Sequence, residues 1–157
     1  MQLSRRNLML LLTVWAATST LTPAFAAEIV VTDASGRQVR VTDASRILSV
    51  GGDVTEIVYA LGAGGRVVAV DATSQFPESA LKEKKNVGYM RALSTEGCLS
   101  VDPTLILSSE RSGPPEVVKS LKATSVPYVE VPDQHSLQGI LAKSAIWASE
   151  EVVLPSL

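Results

Sequence analysis

The stretch RILSVGGDVTEIVYALGAGGRVVAV, residues 46–70, decides the fold because it joins two kinds of apolar pattern. RILSV and RVVAV are short continuous apolar runs, typical of strands that are buried on both faces of a parallel sheet. Between them, Val54, Ile57 and Leu61 recur at helical spacing, and a glycine-rich segment marks the end of the helix. The stretch therefore predicts a strand–helix–strand unit whose two strands are parallel.

The same alternation continues along the chain. Further strands are predicted in NVGY, PTLILS and PYVEV, and further helices in ESALKEK, STEGCLSV, PPEVVKSLKAT and SLQGILAKSAIWA. On the N-terminal side, EIVVTDASGRQVRVT has two β-rich runs around a turn at residues 33–36, which predicts a hairpin. We therefore predict an α/β fold, a Rossmann-like parallel sheet with helices on both faces, preceded by a short β-hairpin.

The first 26 residues have the pattern of a cleavable signal peptide. Arg5 and Arg6 precede a short apolar run at residues 8–17, and the segment 24–26 offers small residues at a cleavage site. We expect export of the chain, with both the Sec and the twin-arginine routes open. Without residues 1–26 the chain has 12 basic and 16 acidic residues, and this mildly acidic balance disfavours a nucleic-acid partner.

A ligand site is expected where the parallel strands end, because ligands of such sheets bind at the carboxyl ends of the strands. Tyr89 and Arg91 follow a predicted strand, and residues i and i+2 of a strand point the same way. We therefore expect both side chains to face one pocket. The candidate rim segments are residues 49–53, 71–76, 88–91, 108–113 and 132–135.

No motif in the sequence indicates an enzyme. LGAGGR closes a helix and precedes a strand, whereas a dinucleotide-binding glycine loop follows a strand and opens a helix. Asp133, His135 and Ser136 are too close in sequence to suggest a triad, and Ser136 suits a helix cap. The chain has one His and one Cys, so a His-rich metal site and a CxxCH haem attachment are excluded. Cys98 lies in an apolar helical pattern and is expected to be buried.

The segments RILSVGGDVTEIVYALGAGGRVVAVDATSQFP (46–77) and NVGYMRALSTEGCLSVDPTLILSSE (86–110) resemble the N-terminal lobe of periplasmic haem-binding proteins. These are the substrate-binding components of bacterial haem ABC importers, within the class III binders of siderophores, cobalamin and haem. The resemblance extends over residues 46–139, and VGYMRALS is its part specific to haem. It implies a periplasmic location, ferric haem b as the transported ligand, and an ABC permease of the inner membrane as partner.

The resemblance also implies roles for single residues. Tyr89 is expected to be the metal ligand, because a phenolate is a hard anionic oxygen that suits ferric haem iron. Arg91 is expected to favour the ionised phenol or to pair with a haem propionate. Gly51, Gly52 and Ser74 are expected to line the same rim, together with the loop at residues 108–113.

Glu96 matches the acidic residue that this class offers to an arginine pocket of the permease; alternatively, it only favours its helix N-terminus through the helix dipole. Residues 27–143 are expected to form the N-terminal lobe. We expect residues 144–157 to be a divergent C-terminal tail and the second lobe of the family to be absent.

We expect a truncated protein in which haem binding is weak or lost, because one lobe buries one face of the macrocycle. A true single-lobe variant, a siderophore or cobalamin binder that does not depend on Tyr89, and a fragment without ligand are the alternatives.

Overall fold

The computed structural model describes residues 29–133, and these residues form two sheets. The first is an antiparallel hairpin of β1 (Ile29–Thr32) and β2 (Gln38–Val41). The second has five strands, and every neighbouring pair in it is parallel. Its order is β5-β4-β3-β6-β7, with β3 (Ile47–Val50), β4 (Val67–Val70), β5 (Lys85–Asn86), β6 (Leu105–Ser109) and β7 (Tyr128–Val131).

Helices connect the strands of the larger sheet: α1 (Gly52–Ala60), α2 (Glu78–Glu83), α3 (Thr95–Leu99) and α4 (Pro115–Lys122), with a 3-10 turn at Ala63–Arg66. The predicted α/β fold with a preceding hairpin is confirmed. Within residues 29–133 the helices are all too short or too polar to cross a bilayer. The predicted signal peptide, the predicted helix at residues 136–148 and the C-terminal tail lie outside the described residues.

Both faces of the larger sheet are covered, as the apolar runs predict. Every residue of β3 and of β6 is buried. Ile47 and Val70 belong to the core cluster on one face, and Leu48 and Cys98 belong to the cluster on the other. Burial raises the pKa of the Cys98 thiol to about 11, so this thiol is neutral at physiological pH, as expected of a small core residue.

The strand order places a topological switch at β3. From β3 the chain moves outward through β4 to β5, then returns to the other side of β3 and continues through β6 to β7. The connections that leave β3 and β6 therefore diverge at the carboxyl edge of the sheet. A crevice opens where they diverge, which is the usual position of a ligand in an open α/β sheet.

The hairpin is fixed to the larger sheet through its turn. The Asp33 carboxylate accepts hydrogen bonds from Arg37 Nε and Nη2, at 2.9 and 2.8 Å. Arg37 Nη2 also donates to the carbonyl oxygen of Tyr128 in β7 at 2.9 Å. The Ala34 N–H donates to the carbonyl oxygen of Glu130 at 2.9 Å. This contact joins the hairpin to the edge of the sheet formed by β7.

We expect the free energy of unfolding to depend on pH through the ionisation of the Asp33 carboxylate. Burial alone would raise the pKa of Asp33, but hydrogen bonds from Arg37 and Ser35 and the Arg37 charge outweigh it and lower the pKa. A carboxyl of this kind stabilises the fold fully above its unfolded pKa, about 3.9, and loses that contribution as the pH falls through the folded pKa. The free energy of unfolding can be measured with urea on either side of about pH 4. As the pH decreases, it should fall less steeply in Asp33→Asn than in wild type. Equal slopes in the two proteins would contradict this.

Candidate functional site

The floor of the crevice is organised by the carboxylate of Asp71, which follows β4 and is fully buried. Its Oδ1 accepts hydrogen bonds from the Gly51 N–H at 2.8 Å and from Ser74 Oγ at 2.9 Å. Its Oδ2 accepts from the Thr73 N–H at 2.9 Å and from Thr73 Oγ1 at 2.7 Å. One carboxylate therefore joins the loop after β3 to the loop after β4.

A chain of buried hydroxyl groups extends this network beneath the floor. Ser74 Oγ lies 2.7 Å from Thr55 Oγ1, which lies 2.8 Å from Ser49 Oγ. Ser74 is fully buried and Gly51 is buried too. Both lie in the network below the crevice and outside the residues that line the groove, so a ligand contact for either one stays a prediction.

The turn that carries Tyr89 and Arg91 is not the strand that the sequence predicts. Strand β5 ends at Asn86, because Asn86 Oδ1 accepts the Gly88 N–H at 2.8 Å and Gly88 adopts a φ of 101°. This backbone conformation suits glycine and turns the chain out of the sheet. The i, i+2 argument for Tyr89 and Arg91 is therefore wrong, although the turn brings both side chains to the same groove.

Backbone hydrogen bonds hold this turn against the loop after β6. The Gly113 N–H donates to the Met90 carbonyl oxygen at 2.9 Å, and the Leu93 N–H donates to the Gly113 carbonyl oxygen at 3.0 Å. The Ala72 N–H donates to the Gly88 carbonyl oxygen at 2.8 Å. The position of Tyr89 is thus set by contacts to loops on both sides of it.

An open groove of about 320 Å³ lies at this edge of the sheet. Tyr89, Arg91 and Gly52 line it, and Tyr89 is 48 % exposed; a ligand contact for these residues stays a prediction. Arg111 and Asp133 also line it; they lie in predicted rim segments, but no sequence pattern singles them out as ligand contacts. The lining residues are Gly52, Asp53, Thr73, Tyr89, Met90, Arg91, Ser109, Arg111 and Asp133.

Residues 47–142, more than half of the chain, match the family described as "Periplasmic binding protein". The chain belongs to the periplasmic binding protein family. The groove at the carboxyl edge of its sheet therefore lies in a member of a ligand-binding family rather than an enzyme family, in agreement with the absence of catalytic motifs from the sequence.

The relatives of this periplasmic binding protein are named for binding two different ligands, vitamin B12 and heme. The vitamin B12-binding protein of Yersinia pestis (strain Pestoides F) is 36% identical over 82 residues, which are 52% of this chain and 29% of that protein. The apo structure of the periplasmic heme-binding protein RhuT from Roseiflexus sp. RS-1 is 38% identical, with a TM-score of 0.61, covering 70% of this chain and 42% of that one. A periplasmic heme-binding protein from Pseudomonas aeruginosa is 34% identical, with a TM-score of 0.63, covering 69% and 39%. The chain spans less than half of each relative.

The charged lining of the groove in this periplasmic binding protein is balanced between two aspartates and two arginines. Arg111 Nη1 donates to Asp133 Oδ2 at 2.8 Å. The hydrogen bond and the charge of Asp133, with smaller contributions from Tyr89 and Asp53, raise the pKa of the Arg111 guanidinium above its ordinary value. Arg111 therefore remains a permanent cation on the groove wall.

Glu96 lies outside the groove lining, exposed in the first turn of α3. Ser94 caps this short helix by accepting the Gly97 N–H at 3.0 Å. An exposed acid in the first turn suits both docking to a permease and a favourable interaction with the helix dipole. The docking role of Glu96 stays a prediction, which unchanged uptake by a Glu96→Lys variant would contradict.

Proposed function

We propose that this periplasmic binding protein binds ferric haem b in the periplasm and delivers it to an ABC permease of the inner membrane. The observation that carries the proposal is the position of Tyr89, which exposes its phenol on a groove wall shared with Arg91 and Arg111. The names of the two heme-binding structures above support the same ligand.

The groove has the chemistry that a ferric porphyrin requires. A tyrosine oxygen is an established axial ligand of haem iron. The guanidinium groups of Arg91 and Arg111 line the same groove. The same groups can pair with propionates through charge-assisted hydrogen bonds. Tyr89 and Arg91 are therefore proposed as iron ligand and charge partner, and Gly52 as part of the wall that the ring approaches.

Residues 29–133 form a groove that can contact one face of the macrocycle. A flat ring bound through Tyr89 leaves its other face in water, and the area removed from water contributes much of the affinity of an apolar ligand. We therefore propose that residues 29–133 by themselves bind haem more weakly than a protein that encloses both faces of the ring.

Cobalamin is the second candidate, and the Yersinia pestis vitamin B12-binding protein favours it. A corrinoid carries its own axial ligands and has no need of a protein phenolate. The two candidates therefore differ in their dependence on Tyr89: haem binding requires its hydroxyl group, whereas cobalamin binding does not.

The decisive experiment is a titration of the purified chain with ferric haem, followed by absorption spectroscopy. Wild type should give the high-spin spectrum of a tyrosinate complex. Tyr89→Phe keeps the ring and removes only the ligand atom, so it should lose that spectrum and bind at least about tenfold more weakly, or ~1.4 kcal/mol.

Tyr59→Phe is the matched control, because the Tyr59 hydroxyl is buried away from the groove and has no hydrogen-bond partner among residues 29–133. It should bind haem as wild type does. A tyrosinate-type spectrum that persists in Tyr89→Phe would refute the ligand assignment. Binding of cyanocobalamin but not of haem, unaffected by Tyr89→Phe, would establish the second candidate.

A further inference from the structure

An ion pair forms the part of the groove wall contributed by β6 and β7. Arg111 lies in the loop after β6 and Asp133 follows β7, and Nη1 of the first donates to Oδ2 of the second at 2.8 Å. The Glu110 N–H donates to the Val131 carbonyl oxygen at 2.9 Å. The pair therefore lies between two loops that the sheet holds side by side.

The two partners differ in exposure and in how firmly they are held. The Asp133 side chain is 10% exposed, and its N–H donates to Glu110 Oε1 at 3.0 Å. The Arg111 side chain is 51% exposed. Asp133 engages one nitrogen of a guanidinium that carries five N–H donors in a fork. Arg111 can thus turn toward a second acceptor while Asp133 stays in place.

The position of Tyr89 determines where a bound macrocycle would lie relative to this pair. Its phenol and the Arg111 guanidinium line the same groove. A macrocycle centred over the Tyr89 oxygen would bring its peripheral substituents to the surrounding walls, one of which holds Arg111. A carboxylate on that periphery would compete with Asp133 for the guanidinium, because both are anionic acceptors of the same donors.

We propose that Arg111 and Asp133 form an exchangeable ion pair that selects macrocycles bearing carboxylates. The ligand carboxylate replaces Asp133 as the hydrogen-bond acceptor of the Arg111 guanidinium. It must therefore bind the guanidinium more strongly than Asp133 does. The inference rests on the proposed function, since it requires a macrocycle in the groove. It assigns ligand specificity to two residues that neither bind the iron nor shape the floor.

The exchange predicts opposite effects for its two members. Arg111→Gln removes the positive charge that pairs with the ligand carboxylate, and should weaken the binding of ferric haem about tenfold. Asp133→Asn removes the competing anion while keeping the shape and the backbone N–H, and should tighten haem binding about threefold. Arg111→Lys keeps the charge without the fork and should recover part of the affinity.

The test compares ferric haem with its dimethyl ester, which has the same iron and ring but no carboxylates. Both are titrated into wild type, the three variants and Arg40→Gln, whose side chain lies on the N-terminal hairpin away from the groove lining. Thermal unfolding of each variant confirms that it is folded. The expected result is that the Arg111 and Asp133 variants change the affinity for haem in opposite directions and leave that for the ester unchanged.

Three outcomes would overturn the inference. If the variants bind haem as wild type does, with the tyrosinate spectrum intact, the inference fails and the proposed function stands. If they shift haem and ester equally, the two residues shape the groove and select no carboxylate. If wild type binds neither ligand, the proposed function fails and this inference fails with it.

Discussion

Asp71→Ala is expected to lower the free energy of unfolding by about 3 to 5 kcal/mol. The substitution removes the acceptor of four hydrogen bonds in a fully buried site. The Gly51 N–H would be left buried without an acceptor, at a cost of about 1–3 kcal/mol, and the part-buried Thr73 N–H would lose its acceptor too. Small domains have a total stability of about 5–15 kcal/mol, so urea unfolding followed by circular dichroism should show the loss directly.

Two controls separate the network from the mere loss of an acid. Asp71→Asn keeps the shape and one acceptor oxygen, so it should be less destabilising than Asp71→Ala. Asp43→Ala removes a carboxylate that accepts the Ser45 N–H at 2.7 Å in an exposed turn, and should cost about 1 kcal/mol or less. If Asp71→Ala costs no more than Asp43→Ala, the buried network does not hold the loops together.

Gly52→Ala is expected to destabilise the fold by about 2 to 3 kcal/mol. A Cβ at Gly52 would lie 2.6 Å from the carbonyl oxygen of Thr73, which is a backbone atom and cannot rotate away. Thr73 is also fixed to Asp71 by two hydrogen bonds, so the clash has no easy relief. Alanine favours a helix over glycine by at most about 1 kcal/mol, which does not offset the overlap.

Gly65→Ala is the matched control for the same substitution without a clash. A Cβ at Gly65 would have no heavy atom within 4 Å, apart from its chain neighbours. Its stability should stay within about 0.5 kcal/mol of wild type, as for an ordinary surface substitution. The two variants should differ clearly in thermal unfolding. Equal melting temperatures would mean that the loops after β3 and β4 move apart freely.

The sheet could be predicted from sequence because its strands are buried on both faces. RILSV and PTLILS are continuous apolar runs, and the structure places the buried strands β3 and β6 there. NVGY has the same apolar character, but only Asn86 of that segment pairs in the sheet, because the left-handed backbone at Gly88 ends the strand. Continuous apolar runs therefore predict the strands correctly, except where a glycine with a positive φ ends the strand early.

The edge of the site could be predicted, but its contacts could not. Parallel strands place their following loops on one edge, so the segments that carry Tyr89, Arg111 and Asp133 were expected there. The inward orientation of Asp71 depends on the Gly51 N–H, 20 residues earlier in the chain. The pairing of Arg111 with Asp133 depends on the adjacency of β6 and β7. An Asp directly after a buried strand, two residues before a Thr, was the one local signal for the first of these contacts.

The central position of β3 has a consequence for the order of folding. β3 pairs with β4 across about 20 residues of chain and with β6 across about 58, and closing the longer loop costs about 1 kcal/mol more entropy. We therefore expect the unit of β3, α1 and β4 to form first and β6 and β7 to join it afterwards. Because Arg111 and Asp133 follow those later strands, we expect the wall that carries the ion pair to be the last part of the groove to form.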